Sequence, residues 1–216
     1  MDKLRDIIDP DIGVFTNIGE AHSENFKDER SKATEKLKLF SKASSIIYCS
    51  DHELINQLIA SDENLRKKSI YDWSFRNPGS KIFVRRVSVQ RNVTTIQMTF
   101  NRQTSEFEIP FTDRASVENA VTAAAVCMVL EIKPEIIAKG LRELVSVAMR
   151  MEIKSGINNC QLIEDFYNSD PGSLGMAIEY LKSQDKRDTT LILSDFIQSG
   201  RDENELYDEV AGLIRK

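Results

Sequence analysis

"DIGVFTNIGEAH" occupies residues 11–22 and runs directly into the charged stretch "SENFKDERSKATEKLKLF" at 23–40. A continuous apolar run that ends in a polar loop and gives way to helical spacing marks a strand buried on both faces entering a crossover helix. We read a strand over 12–18 and a helix over 29–42, where Ala33, Leu37 and Phe40 follow a 3–4 spacing and lysines line the other face. The pattern then repeats. "SSIIYCS" (44–50) reads as a second buried strand, "DHELINQLIAS" (51–61) as a helix with Asp51 as N-cap, and "KSIYDWS" (68–74) as a third strand. This β-α-β-α-β order predicts a parallel sheet with crossover helices.

The rhythm changes after residue 80. "KIFVRRVSVQ" (81–90), "TTIQMTF" (94–100) and "SEFEIPF" (105–111) alternate apolar and polar residues, with turns at 91–92 and 101–104. Alternation without an intervening helix predicts an antiparallel meander open on one face. Helices follow over 116–131, alanine-rich and suited to close packing, and over 133–145, with Pro134 in the first turn. A new unit starts near 150: strand at 160–166, helix at 170–184 opened by Asp-Pro, strand at 188–196 and helix at 202–216. Two strands and two helices make a poor independent sheet, so this half reads as incomplete.

Composition narrows the function. Hydrophobic residues make up 41% and charged residues 29%, ordinary for a soluble globular protein. A net charge of -5 argues against a dedicated nucleic-acid or anionic-membrane binder, which needs a basic face. Cys49, Cys127 and Cys160 are far apart in apolar surroundings and read as reduced, buried thiols of a cytoplasmic protein. No apolar run approaches the roughly 18 residues of a membrane span.

Two polar clusters follow strands, where open α/β sheets place their ligands. The first is Thr16, Asn17 and His22; the second is Glu164, Asp165, Tyr167, Asn168 and Asp170, ahead of a helix N-terminus. Either alone is better explained by ordinary caps and turns. Their combination and order say more. "PDIGVFTNIGEAHSENF", "EKLKLF", "SVENAVTAAAVCMVL" and "AMRMEIKSGINNCQLIEDFYNSDPGSL" resemble successive signatures of the Mur ligase family across essentially all 216 residues.

The resemblance implies an ATP-dependent ligase that extends the UDP-linked peptidoglycan precursor. The likeness runs to the branch joining D-Ala-D-Ala to a UDP-MurNAc-peptide, in the forms fused to an alanine racemase. In that reading His22 and Lys36 hold magnesium, Lys36 as a carbamate, which requires a lysine that the site makes neutral. Read from residues alone, Lys36 is one solvated lysine among Lys32, Lys38 and Lys42, and histidine suggests zinc or manganese before magnesium. Asn119 matches the asparagine that contacts adenine, Arg150 the junction arginine that reaches the nucleotide, and Asp165 the hinge acid. Tyr167 and Asn168 complete the motif near substrate or nucleotide. There are departures from the family pattern: Phe166 stands where a small serine is usual, Met149 where glycine precedes the arginine, and Asp113-Arg114-Ala115 replaces a glycine-histidine pattern.

The expected architecture is a partial P-loop-type parallel sheet domain with a small antiparallel meander (1–148), then a hinge and the first half of a Rossmann-like domain (149–216). No Gly-x-x-x-x-Gly-Lys-Ser/Thr occurs in the sequence, and ATP chemistry of this kind needs that phosphate-cradling loop. The expectation is therefore a piece of a ligase, inactive alone, with ATP, magnesium, UDP-MurNAc-peptide and D-Ala-D-Ala as ligands of the complete enzyme. The alternatives are a related ligase of the folylpolyglutamate synthase kind and a non-catalytic module that kept the fold.

Overall fold

The computed structural model describes residues 1–19, 25–167, 170–184, 188–197 and 199–215. The chain divides into two compact units, Met1–Ile18 with Arg30–Leu144 and Gly19–Glu29 with Val145–Lys216.

The first unit is built on a six-stranded mixed sheet whose spatial order is the chain order: β1 (Ile12–Phe15), β2 (Ser45–Cys49), β3 (Ser69–Ser74), β4 (Ile82–Gln90), β5 (Val93–Phe100) and β6 (Gln103–Ile109). β1, β2 and β3 pair in parallel, and β4–β6 form the antiparallel meander. Helix α1 (Asp2–Ile8) precedes β1, α2 (Glu29–Leu37) leads into β2, and α3 (Glu53–Ser61) leads into β3. After the meander come α4 (Arg114–Val129) and α5 (Pro134–Arg142).

β2 shows why an unbroken apolar run is needed here. Ile46 and Tyr48 join one hydrophobic cluster with Phe15, Ala33, Leu37, Ile55 and Ile59, while Ile47 and Cys49 join another with Trp73, Val121 and Ala125. Alternate side chains leave opposite faces of a strand, so both faces of β2 are covered. The meander buries one face only. Ile82, Val84, Ile96, Met98, Phe107 and Ile109 enter the core, as the alternation predicts. Across that core lie Ala120, Ala124 and Ala125 of α4, whose short side chains let the helix approach the sheet.

Several expected boundaries move. The first strand ends at Phe15 instead of residue 18, where its ladder with β2 ends at Tyr48. The following helix ends at Leu37 and tightens into a 3₁₀ turn over Lys38–Phe40. Gly13 sits under that turn: a Cβ there would lie 2.4 Å from Cγ of Phe40, so only glycine fits beneath the ring. The third and fourth strands meet in parallel with only residues 75–81 between them, against the usual about a dozen residues of a crossover. Their overlap is two pairs long, Trp73 with Ile82 and Ser74 with Phe83, so the connection need not travel back along the sheet.

Asp51 does not cap α3. The N-cap is His52, without a side-chain cap bond. Asp51 instead accepts from the Ser74 hydroxyl and, at 2.8 Å, from Phe75 N–H; Ser74 Oγ in turn accepts from Arg76 N–H (2.9 Å) and Asn77 N–H (2.8 Å). This chain of bonds shapes the start of the loop into β4. Asp113 takes the capping role at α4, accepting from Ser116 N–H at 2.8 Å, which starts that helix two residues earlier than expected.

The second unit departs further. β7 (Glu152–Ser155), not anticipated, pairs antiparallel with β8 (Gln161–Glu164), so the expected strand at 160–166 belongs to a hairpin instead of a parallel repeat. Asn158 and Asn159 at the hairpin end adopt φ of 52° and 58°, which asparagine tolerates better than most residues. α6 (Pro171–Ser183) starts with a capping box: Asp170 accepts from Ser173 N–H at 2.9 Å, and Ser173 Oγ accepts from Asp170 N–H at 3.0 Å. The expected strand at 188–196 is not formed; those residues have no regular structure, and Ile192 is 90% exposed. An apolar run becomes a strand only with a ladder partner, and no such partner is found among the described residues. Phe196 still packs with Leu174 of α6 and with Leu206 and Val210 of α7 (Glu203–Arg215).

The cysteines divide by environment. Cys49 is buried, Cys127 half-buried and Cys160 exposed, which corrects the reading of three buried thiols. Burial pushes the Cys49 thiol up to about 12. Iodoacetamide at about pH 8 is therefore expected to alkylate Cys160 in the folded chain and to spare Cys49 until urea unfolds it. Peptide mass mapping would show this.

Candidate functional site

Lys36 lies in the last turn of α2, half-buried, and makes no ion pair among the described residues. Its neighbour Glu35 is already engaged by Lys38 at 2.6 Å, which holds the Glu35 carboxyl below the usual carboxylate range. Lys32, one turn earlier, is only 4% exposed, so it does not belong to the solvated face assigned to the lysines of this helix. His22, expected opposite Lys36, lies outside the described residues, as does Asn168.

Asn119 is exposed near the head of α4. The residue before it, Glu118, accepts from Arg114 Nε at 2.9 Å, and its other oxygen lies 3.8 Å from His52 Nε2. That nitrogen is buried and has no hydrogen-bond partner among the described residues. His52 and Glu118 were given no role by the sequence. The one local signal was position, because His52 follows β2 at the end where parallel sheets bind ligands. Arg114 and Asp113, departures from the family pattern, serve here as the helix's ion pair and its cap.

The second unit brings three expected residues together. The Arg150 guanidinium carbon sits 4.6 Å from the centre of the Tyr167 ring. Asp165 accepts from Met151 N–H at 3.2 Å, and Glu152 accepts from Met149 N–H at 3.1 Å. Tyr167 N–H donates to the Met149 carbonyl at 3.2 Å. The Met149 amide and Lys154 together hold the Glu152 carboxyl below the usual carboxylate range. Met149 and Met151 both have positive φ, 61° and 48°, a region that costs a side chain about 1–2 kcal/mol. The absent glycine thus has a physical meaning at Met149. Met149→Gly is expected to stabilise the second unit by about 0.5–1 kcal/mol after the added freedom of the unfolded chain is subtracted, read from urea melts. Phe166, in place of the small residue, is 61% exposed.

Residues 1–127 match the family model of the Mur ligase middle domain, more than half of the chain. The chain belongs to the Mur ligase family. Mur ligases are ATP-dependent amide ligases. The UDP-N-acetylmuramoyl-tripeptide–D-alanyl-D-alanine ligase of Rickettsia prowazekii is 27% identical over 215 residues, 98% of this chain and 47% of that protein. Among solved Mur ligases, MurF of Acinetobacter baumannii superposes with a TM-score of 0.81 at 20% identity, over 98% of this chain and 45% of its own. MurF of Thermotoga maritima, solved in complex with ADP, superposes with a TM-score of 0.76 at 15% identity, over 98% of this chain and 48% of its own. The chain thus spans about half the length of the relatives it matches. Among the described residues no helix is long and apolar enough to cross a membrane.

Proposed function

We propose that the chain carries the nucleotide-facing part of a ligase that joins D-Ala-D-Ala to UDP-MurNAc-tripeptide in peptidoglycan precursor synthesis, in the cytoplasm. The observation that carries this reading is the 27% identity to the D-alanyl-D-alanine ligase of R. prowazekii, which extends over 98% of the chain, beyond the middle domain into the second unit. Residues 1–148 would belong to the ATPase domain and 149–216 to the hinge and the start of the C-terminal domain. A racemase domain in the same polypeptide is a further part of this proposal.

The reaction passes through an acyl phosphate. ATP phosphorylates the tripeptide carboxylate, and the D-Ala-D-Ala amine then displaces phosphate from the carbonyl. Asn119 would take the adenine and Arg150 would reach the nucleotide, with Asp165 as the hinge acid and Tyr167 and Asn168 near substrate or nucleotide. Lys36 and His22 would hold magnesium, which when bound neutralises charge on the transferred phosphoryl. An ammonium cannot ligate a cation. Lys36 fits the role only as a carbamate, whose oxygens suit magnesium; it is half-buried and holds no ion pair among the described residues that the modification would have to break.

The phosphate loop missing from these residues has to come from elsewhere, so the 216-residue chain alone is expected to release no phosphate from ATP. The gene product containing it, given MgATP, UDP-MurNAc-tripeptide and D-Ala-D-Ala, is expected to form UDP-MurNAc-pentapeptide, with kcat reduced about 100-fold or more by Lys36→Ala. Mass spectrometry of the product checks the acceptor. Transfer of glutamate to a folate would establish the folylpolyglutamate-synthase alternative, and no nucleotide turnover at all would leave a binding module.

A further inference from the structure

Arg150 poses a physical problem that its surroundings solve. It is exposed and long, and binding an anion would normally mean freezing several freely rotating bonds. A carboxylate partner would order it but would also consume its charge and its N–H donors. None of the described ion pairs involves Arg150. Its planar group lies instead against an aromatic face, 4.6 Å from the Tyr167 ring centre. Stacking uses the face of a guanidinium and leaves the N–H edge open.

The backbone fixes both partners of this stack. Met149 and Met151 flank the arginine in left-handed conformations, each with its N–H tied to a carboxylate, Glu152 and Asp165. The Tyr167 N–H bond to the Met149 carbonyl sets the spacing between the two segments. We propose that Tyr167 is a positioning residue that holds the Arg150 guanidinium ready before ligand arrives, with its donor edge free for an anionic group of the nucleotide. This rests on the assignment of Arg150 to the nucleotide.

The test uses the gene product containing this chain, with nitrogen-labelled arginine and MgADP as the probe. Free Arg150 should show a ring-current shift of its side-chain signals, kept in Tyr167→Phe and lost in Tyr167→Leu. Tyr167→Leu should weaken MgADP binding about 2- to 5-fold, Tyr167→Phe should leave it within error, and Tyr167→Leu should add nothing in an Arg150→Ala background. An unshifted Arg150 signal overturns the proposal, as does a Tyr167→Leu loss that persists without Arg150, since the ring would then touch the nucleotide itself. If Arg150→Ala leaves MgADP affinity unchanged, or MgADP does not bind, while the ring-current shift responds as expected, the nucleotide assignment of Arg150 fails and the stacked seat stands.

Discussion

Trp73→Ala is expected to lower the stability of the first unit by about 3–5 kcal/mol, the range for emptying a large buried aromatic site. Trp73 is 1% exposed, lies on β3 between β2 and β4, and meets Phe75 edge-on with ring centres 5.3 Å apart. The sheet around it is paired on both sides, so the backbone has little room to collapse into the void. Its indole N–H is buried without a hydrogen-bond partner among the described residues. An unmet donor costs about 1–3 kcal/mol, and Trp73→Phe removes it along with part of the ring. The phenylalanine variant should therefore lose much less, about 1–2 kcal/mol. Urea unfolding followed by far-ultraviolet circular dichroism gives both values, and equal losses would show that the indole N–H is satisfied in solution.

Asp51→Ala is the second large effect, about 2–4 kcal/mol. The loss does not come from a helix cap, because α3 has no side-chain cap to lose. It comes from Ser74, which is wholly buried and bonded to Asp51, and from Phe75 N–H, which loses its 2.8 Å acceptor. Asp51→Asn keeps one carbonyl acceptor and should lose about half as much. Amide hydrogen exchange would localise the change: faster exchange at Phe75, Arg76 and Asn77 is expected, with the α3 amides little affected. Loss of protection across α3 instead would return Asp51 to the role of a cap.

These two positions illustrate what a sequence makes legible. β2 could be read because both its faces are buried, and a strand so placed must be apolar at every position. The meander could be read because one face is wet, which writes alternation into 82–109. Asp51 obeys a local rule, an acidic residue before a helix, yet its partner Ser74 lies 23 residues on and leaves no local trace. β7 has no legible signature because "EIKS" is short and charged, and its pairing depends on two asparagines in left-handed turns. The run at 188–196 differs for the converse reason: its composition favours a strand, but a strand exists only with a partner. Lys36, Asn119 and Arg150 carried no local pattern of their own, and family resemblance alone singled them out. The contact of His52 with Glu118 needed α3 and α4 to be placed in space before it could be seen.

β1 has one further consequence. It ends the six-stranded sheet, with β2 on one side and no strand on the other among the described residues. Its sequence, Ile-Gly-Val-Phe, carries neither the lysine nor the proline that commonly guards such a border. A border only four residues long, with Gly13 and Phe15 buried, gives a second polypeptide little to zip along, so self-association of this chain through β1 is expected to stay weak even in concentrated solution.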